Sequence, residues 1–366
     1  MEYISLVEKN YLKYQPDGKL LSVVINNIRT EVGLNDSAFS IIKLCDGTNT
    51  KNDIIKKLSL LYNEELNIVK NMVESFIEQL NTGGILNTTS TKNRRVVEVR
   101  GSKNYFVPEL VILELTHKCP LKCKHCYVNA GNGPSMDFEL LMKTAKKMVK
   151  QGVQGFQLTG GEPFAYRNIE AIVDYLYEQK VRTQITTSGF YLNETVKRCV
   201  KKIASVGGLI QISVDGFSET HNRIRGNENA FENAIKLIDY AKMNNVTVVV
   251  ATCIVDQNLK GIEKLSIFLS EKQIDLHRIG GVSYQGRAEK NSLHTSVSFS
   301  DINKFIQYLK ESYETMRFKI SGFEEISTDS DYNCGAGYKI IKVSPEFIVS
   351  PCPMMNVNIG NIKQEK

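Results

Sequence analysis

The sequence predicts an α/β protein: an incomplete parallel barrel of six strand–helix units, preceded by a small domain made of a hairpin and three helices. Three observations predict it. From Glu109 onward, short β-branched runs alternate with amphipathic helical stretches, the pattern of repeated βα units around a parallel sheet. Three cysteines, Cys119, Cys123 and Cys126, follow the first of those strands directly, at C-x3-C-x2-C spacing. Residues 1–87 carry a different pattern, one turn-separated strand pair followed by helical periodicity only.

In chain order, Asn10–Gln15 and Lys19–Asn26 flank the turn signal Pro16-Asp17-Gly18 and read as a hairpin. Helical patterns follow. Asp36–Leu44 places Ala38, Ile41 and Ile42 on one face. Thr50–Leu61 is N-capped by Thr50 and carries Ile54, Ile55, Leu58 and Leu61. Glu64–Asn81 repeats Leu66, Val69, Val73, Phe76 and Leu80 at three- and four-residue steps and stops at Gly83-Gly84. Thr88–Asn104 is polar and basic, with Arg94, Arg95 and Arg100, and reads as an interdomain linker or a covering strand.

Strands are expected over 110–115, 155–159, 181–187, 209–214, 246–254 and 275–280, and helices over 137–151, 168–179, 193–204, 230–243 and 258–272. Six units are too few to close an eight-strand barrel. The expectation is therefore a partial, TIM-like (β/α)6 barrel over 105–315, with its chemistry at the C-terminal strand ends. Asp301–Thr315 reads as one more amphipathic helix, carrying Ile302, Phe305, Ile306, Leu309 and Tyr313. A glycine-rich turn, Cys334-Gly335-Ala336-Gly337-Tyr338, and a strand pair through Ser344–Pro353 belong to a last segment, 316–366.

Composition narrows the function classes. Hydrophobic residues are 42% and charged residues 23% of the 366, enough to bury a core. A net charge of +6, without one long basic block, does not point to nucleic acid or membrane as the partner. The chain has neither an apolar run of membrane-spanning length nor a signal-peptide h-region at its start. Eight cysteines in a chain this long, three of them clustered, argue for a metal centre in a reducing cytoplasm rather than for disulfides. Cys45, Cys199 and Cys253 lie in apolar patterns and read as buried core thiols.

The spacing of Cys119, Cys123 and Cys126 lets one short loop wrap three thiolates around a compact inorganic centre. A cubane iron–sulfur cluster normally takes four thiolates, so three leave one iron open to bind and reduce a ligand. The other reading of the same loop is zinc, with His117 or His125 as fourth ligand. Further motifs fall at the ends of the expected strands: Gly160-Gly161-Glu162-Pro163, Thr186-Thr187-Ser188-Gly189, Ser213-Val214-Asp215-Gly216 with His221 and Arg225-Gly226 behind it, Thr252-Cys253-Ile254, and Tyr284-Gln285-Gly286-Arg287-Ala288.

The cysteine loop, with His125 and Tyr127 beside the last cysteine, resembles the cluster loop of the radical S-adenosylmethionine superfamily. The intact GGEP after the second strand strengthens that resemblance. The resemblance implies a [4Fe-4S] cluster on Cys119, Cys123 and Cys126 whose open iron chelates S-adenosyl-L-methionine. It further implies cofactor contacts from Tyr127, Gly160, Gly161, Glu162, Pro163, Ser188, Ser213 (ribose), Asp215 (loop orientation), Arg225 (carboxylate) and Ile254 (adenine). Asp215 before Gly216 also reads as a turn former. Residues 284–288 resemble the family's GRA segment near the substrate.

The S-x-D-G and H-x-x-x-R-G pair looks like the peptide-maturing branch. Residues 1–87 resemble a winged-helix module, and more narrowly the PQQ-biosynthesis D-like domain, which implies a leader peptide added as a strand to the hairpin edge. The segment with Cys334, Gly337, Cys352 and Gly360-Asn361-Ile362 resembles the opening of a SPASM or twitch domain. There Cys334 and Cys352 would be ligands of an auxiliary cluster, but two thiolates do not complete a four-ligand site. Together these resemblances imply a sactipeptide-type maturase that forms a Cys thioether crosslink on a ribosomal precursor peptide, served by a reductant such as flavodoxin or ferredoxin. Carbon–carbon crosslinking, epimerisation and sulfatase-type maturation fit the same motifs, and a non-catalytic zinc-holding peptide binder is the rival from another class.

Overall fold

The computed structural model describes residues 1–291, 296–313, 319–322, 334–355 and 357–364. They fall into two compact units, residues 1–107 with 146–154, and residues 108–145 with 155–366.

The first unit contains β1 (Tyr3–Leu6), β2 (Tyr11–Gln15), β3 (Gly18–Ile25), β4 (Ile28–Leu34), α1 (Asp36–Leu44), β5 (Asp46–Thr50), α2 (Lys51–Tyr62), α3 (Leu66–Thr82), β6 (Leu86–Thr89) and β7 (Val99–Gly101). The three expected helices and the β2–β3 hairpin are present. Thr50 caps α2 as expected, through a reciprocal capping box with Asp53 that satisfies otherwise orphaned amide donors. Strand β4 was not foreseen. It joins β3 through Asn26-Asn27, both at positive φ (51° and 66°), the left-handed pair that a tight two-residue hairpin turn needs. The sheet runs β4-β3-β2-β7, so β2 and β3 are both internal and its edges among the described residues are β4 and β7, not the expected hairpin. Strand β7 falls in the stretch read as linker or covering strand and pairs parallel to β2. The apolar faces of α1, α2 and α3 close over this sheet through Leu12, Leu21, Ile42, Ile54, Leu58 and Val73, all essentially out of water. The Lys13 ammonium is fully buried and is paired at 3.2 Å with Glu31.

The second unit contains β8 (Leu110–Lys118), β9 (Asn132–Ser135), α4 (Phe138–Gln151), β10 (Gly155–Gly160), α5 (Ile169–Glu178), β11 (Arg182–Thr187), α6 (Glu194–Ser205), β12 (Leu209–Ser213), α7 (Ser218–Arg225), α8 (Ala230–Met243), β13 (Thr247–Ile254), α9 (Ile262–Glu271), β14 (Leu276–Gly281), α10 (Arg287–Lys290), α11 (Phe299–Ser312), β15 (Lys319–Gly322), β16 (Ile340–Val343), β17 (Ile348–Ser350) and β18 (Gly360–Asn361). Helix α4 runs on into residues counted with the first unit. All six expected strands form and pair in parallel in sequence order, β8-β10-β11-β12-β13-β14, the order of a barrel rather than of a doubly wound sheet. Two more parallel strands extend the sheet, β15 beside β14 and β16 beside β8. β16 turns back into β17 and β18, antiparallel, as expected for the strand pair before Cys352. Helix α7 is an unforeseen short helix after β12. It ends at Gly226, whose φ of 67° is the left-handed stop that glycine allows. Of the segment expected over 316–366, residues 316–318, 323–333, 356 and 365–366 lie outside the described residues, as do 314–315 at the end of the expected helix Asp301–Thr315.

Candidate active site

The site sits where β8 and β10 end. The β10 chain comes so close to β8 that a Cβ on Gly160 would lie 2.2 Å from the Thr116 carbonyl, and one on Gly161 would lie 2.5 Å from the Lys118 carbonyl. Gly160 also has a φ of 134°. Only glycine tolerates both conditions. Two backbone bonds seal the contact: Gly161 N–H donates to Thr116 O at 2.6 Å, and Glu162 N–H to Lys118 O at 2.9 Å. The glycines therefore set the geometry of the strand end from which the cysteine loop departs. Pro163 opens a short 3-10 turn immediately after.

Glu162 is fully buried and ties three strand-end groups together. Its carboxylate accepts from Thr187 Oγ1 at 2.7 Å, from the Ser188 amide at 2.9 Å and hydroxyl at 2.5 Å, and from the Phe164 amide at 3.2 Å. Burial pushes its pKa up, while the Ser188 and Thr187 donors oppose that. Ser188, expected at the cofactor, thus spends its side chain on Glu162. Thr187 was not singled out from the sequence.

Next to the loop lies a buried charge cluster from the ends of β12 and α7. Asp215 is fully buried, with Oδ2 2.7 Å from Arg225 Nε and 3.7 Å from His125 Nε2, and with Oδ1 accepting the Cys253 amide at 3.0 Å. The Arg225 contact is close but poorly aligned, so neither facing atom has a hydrogen bond. Burial alone would raise the Asp215 pKa; Arg225, with His125 and His221, holds it down at about 2. His221 Nδ1 accepts the Asp215 amide at 2.9 Å, and burial with Arg225 lowers its pKa to about 3. The Asn258 side chain donates to the Asp215 and Cys253 carbonyls, both at 2.8 Å, a brace that no sequence signal suggested.

The three loop thiols receive donors. The Leu121 amide points at Cys119 Sγ (3.4 Å), the Ala130 amide at Cys126 Sγ (3.3 Å), and Arg225 Nη1 at Cys123 Sγ (3.8 Å). Burial pushes the Cys119 thiol up to about 12, and burial also raises Cys123 against the pull of Arg225. Donors aimed at buried sulfur suit thiolates bonded to metal, because a metal replaces the proton and the amides and guanidinium then share the charge. The residues fit the cluster in this respect. Among the described residues no group of three His, Cys, Asp or Glu side chains is arranged to hold a single metal ion. A cubane places its three cysteines on three separate irons, so it does not require that convergence.

Tyr127 donates to buried Glu114 at 3.1 Å, and Lys342 from β16 stands 3.7 Å from the same carboxylate, a link that only the tertiary pairing of β16 with β8 creates. Ser213 ends β12. Ile254 is fully buried at the end of β13, and it is Cys253 on that strand end that keeps partial exposure. Cys253 therefore differs from Cys45 and Cys199, which are fully buried as expected. The 284–288 segment, expected near the substrate, lies against the cysteine loop. Cys334 is exposed, and the following turn meets the Cys352 strand end through Gly337 N–H to Pro351 O (3.2 Å).

The open parallel barrel carries its three-cysteine loop at the end of its first strand. Residues 113–269 match the family described as the Radical SAM superfamily, and residues 22–86 match Coenzyme PQQ synthesis protein D (PqqD). The chain therefore carries a radical SAM domain, of the kind that uses a [4Fe-4S] cluster and S-adenosyl-L-methionine, and a PqqD domain. It is similar to the antilisterial bacteriocin subtilosin biosynthesis protein AlbA of Bacillus subtilis, with 26% identity over 339 residues, 90% of this chain and 74% of that protein. It is also similar to the sporulation killing factor maturation protein SkfB of the same organism, with 22% identity over 74% of this chain and 66% of that one. The solved structure of Streptococcus suis SuiB bound to precursor peptide SuiA shares its fold, at a TM-score of 0.70 and 16% identity over 99% of this chain and 87% of that chain. The chain spans about two thirds to three quarters of these curated relatives' length.

Proposed function

We propose that this enzyme binds the leader of a ribosomally made precursor peptide through its first unit and forms a Cys-sulfur-to-carbon thioether in the core peptide. The observation that carries peptide recognition is the β4 edge. In the described sheet β4 has a strand neighbour on one side only, Val32 is half exposed, and beside it a cavity of about 320 Å³ is lined by Val32, Leu34, Ala38, Met72, Phe76 and Ile85. An extended peptide adds to such an edge by backbone hydrogen bonds and places alternate side chains in the apolar groove. AlbA and SkfB, named for the biosynthesis of a bacteriocin and the maturation of a killing factor, favour a maturation step on a precursor.

When bound, the cluster and S-adenosyl-L-methionine supply a 5′-deoxyadenosyl radical that abstracts a hydrogen atom. The chain's residues hold that site. The Gly160-Gly161 backbone offers close approach, Glu162 locks Thr187 and Ser188 at the neighbouring strand end, Ser213 would contact the cofactor's ribose and Arg225 its carboxylate, and Asp215 orients the loop. A low-potential donor such as flavodoxin or ferredoxin would serve it. Cys334 and Cys352 would be two ligands of an auxiliary cluster, too few to complete one by themselves.

The test is anaerobic reconstitution with a short Cys-containing peptide encoded next to the enzyme, followed by mass spectrometry. The expected product has lost a pair of hydrogen atoms and one alkylatable thiol. Deoxyadenosine formation with an intact thiol count would overturn the thioether assignment and leave the radical enzyme standing.

A further inference from the structure

We propose that Arg287 is a positioning residue that buckles the cysteine loop shut. Its Nε donates to the Cys123 carbonyl at 2.7 Å, its Nη1 donates to the Ala130 carbonyl, and its own amide donates to the Cys126 carbonyl at 2.9 Å. One planar guanidinium thus joins the middle of the loop to its far end, which a single ammonium could not do. Asn291 adds a fourth donor, to the Lys124 carbonyl at 2.9 Å.

The preceding residue makes the approach possible. Gly286 has a φ of 61°, and a Cβ there would lie 2.3 Å from the Tyr127 carbonyl and 2.6 Å from that of Cys126. The opposite side of the loop is held by acceptors. Lys122 and Lys124 amides donate to the Arg225 and Ile224 carbonyls, each at 3.0 Å. The loop's amides are therefore anchored on the end of α7 and its carbonyls on 286–291. Removing the Arg287 side chain releases the Cys123 and Ala130 carbonyls while leaving the residue-287 amide, Asn291 and all three cysteines in place.

The inference rests on this loop holding the cluster, and the test uses full-length, anaerobically purified protein. The readouts are the rate of iron loss to a ferrous chelator, the electron paramagnetic resonance signal of the reduced cluster with and without S-adenosyl-L-methionine, and the alkylation rates of individual cysteines in the iron-free chain. Two charge-assisted hydrogen bonds are at stake, so Arg287→Ala should speed iron loss by about tenfold or more. The same variant should change the reduced-cluster signal and speed alkylation of Cys123 and Cys126 while leaving Cys45 and Cys199 protected. Arg287→Lys, which keeps the charge but not the fork, should fall between wild type and Ala. Gly286→Ala should reproduce the loss.

Wild-type iron retention, signal and alkylation in Arg287→Ala would overturn the proposal. So would equal acceleration at Cys45 and Cys199, which would mean general unfolding. A wild-type chain that holds no iron would instead remove the cluster assignment on which the proposal stands, an outcome readily told apart from unchanged retention in the variant.

Discussion

The cysteine loop and the β4 edge, the proposed cluster and leader sites, are built in opposite ways. The loop is held on both sides by backbone bonds, by Arg287 and by α7, next to glycines whose replacement would collide with carbonyls. The β4 edge carries half-exposed Ile28 and Val32 beside an apolar groove and has a strand neighbour on one side only in the described sheet. Radical chemistry tolerates little displacement of reacting atoms, so its loop is over-determined. Strand addition needs donors and acceptors that the fold leaves unspent, so its edge is under-determined.

The largest effect that would test this contrast is at the loop itself. Changing Cys119, Cys123 and Cys126 together to Ala should abolish iron binding at the loop and all deoxyadenosine formation, while the isolated leader still binds. Iron analysis and calorimetry on the same sample check both halves. Next in size is the strand-end contact. Gly160→Ala should lower deoxyadenosine formation by about a hundredfold, because a Cβ at 2.2 Å from Thr116 O must displace the strand end by ångström amounts. Near-wild-type turnover in that variant would show that the β8–β10 contact need not be rigid.

Acid should separate the two units. All five histidines lie beyond residue 107, in the sequence of the barrel unit. Burial depresses His277 from 6.5 to about 3, and burial with Arg225 does the same to His221. The unfolded chain therefore binds protons that the folded barrel refuses. The stability these neutral histidines contribute is full above pH 6.5 and is lost as pH falls from there toward 3. At pH 5.5 each costs about 1.4 kcal/mol. Hydrogen exchange on the iron-free chain at pH 7.5 and 5.5 should show the barrel strands losing protection while α2 and α3 do not. Equal loss in both units would break the contrast. The smallest effect concerns recognition. Val32→Asp, on an exposed edge position, should weaken leader affinity by about fivefold, roughly 1 kcal/mol, and raise KM with kcat unchanged. A fall in kcat instead would mean that the edge takes part in the chemistry.

Much of this was legible in the sequence for identifiable reasons. The six barrel strands were found because buried parallel strands are continuous β-branched runs separated by helices of clear period, as in Thr247–Ile254 between α8 and α9. Thr50 announced its helix because a cap is a local, two-residue event. Strand β4 was missed although Asn26-Asn27 carried a usable turn signal. Its residues Ile28, Thr30 and Val32 alternate with polar ones but have no second covered face to enrich them in apolar side chains. Strand β15 and the parallel pairing of β16 with β8 were missed for another reason: neither leaves a local pattern, and β16 finds its partner at the other end of the barrel sequence.

Residue types and spacing by themselves determined the cluster loop, the strand-end glycines and the partial barrel, because each rests on short-range chemistry that the chain carries wherever it folds. Only the tertiary structure decided what those residues touch. Glu162 turned out to bind Thr187 and Ser188, Asp215 to face Arg225 and His125, Ile254 to lie in the core with Cys253 the more exposed neighbour, and Arg287 to grip a loop more than a hundred and fifty residues earlier. The physical reason is that a buried donor or charge is costly until it is paired. Which partner pairs it depends on which strand ends the parallel sheet brings together, a consequence of packing over the whole barrel that no local pattern encodes.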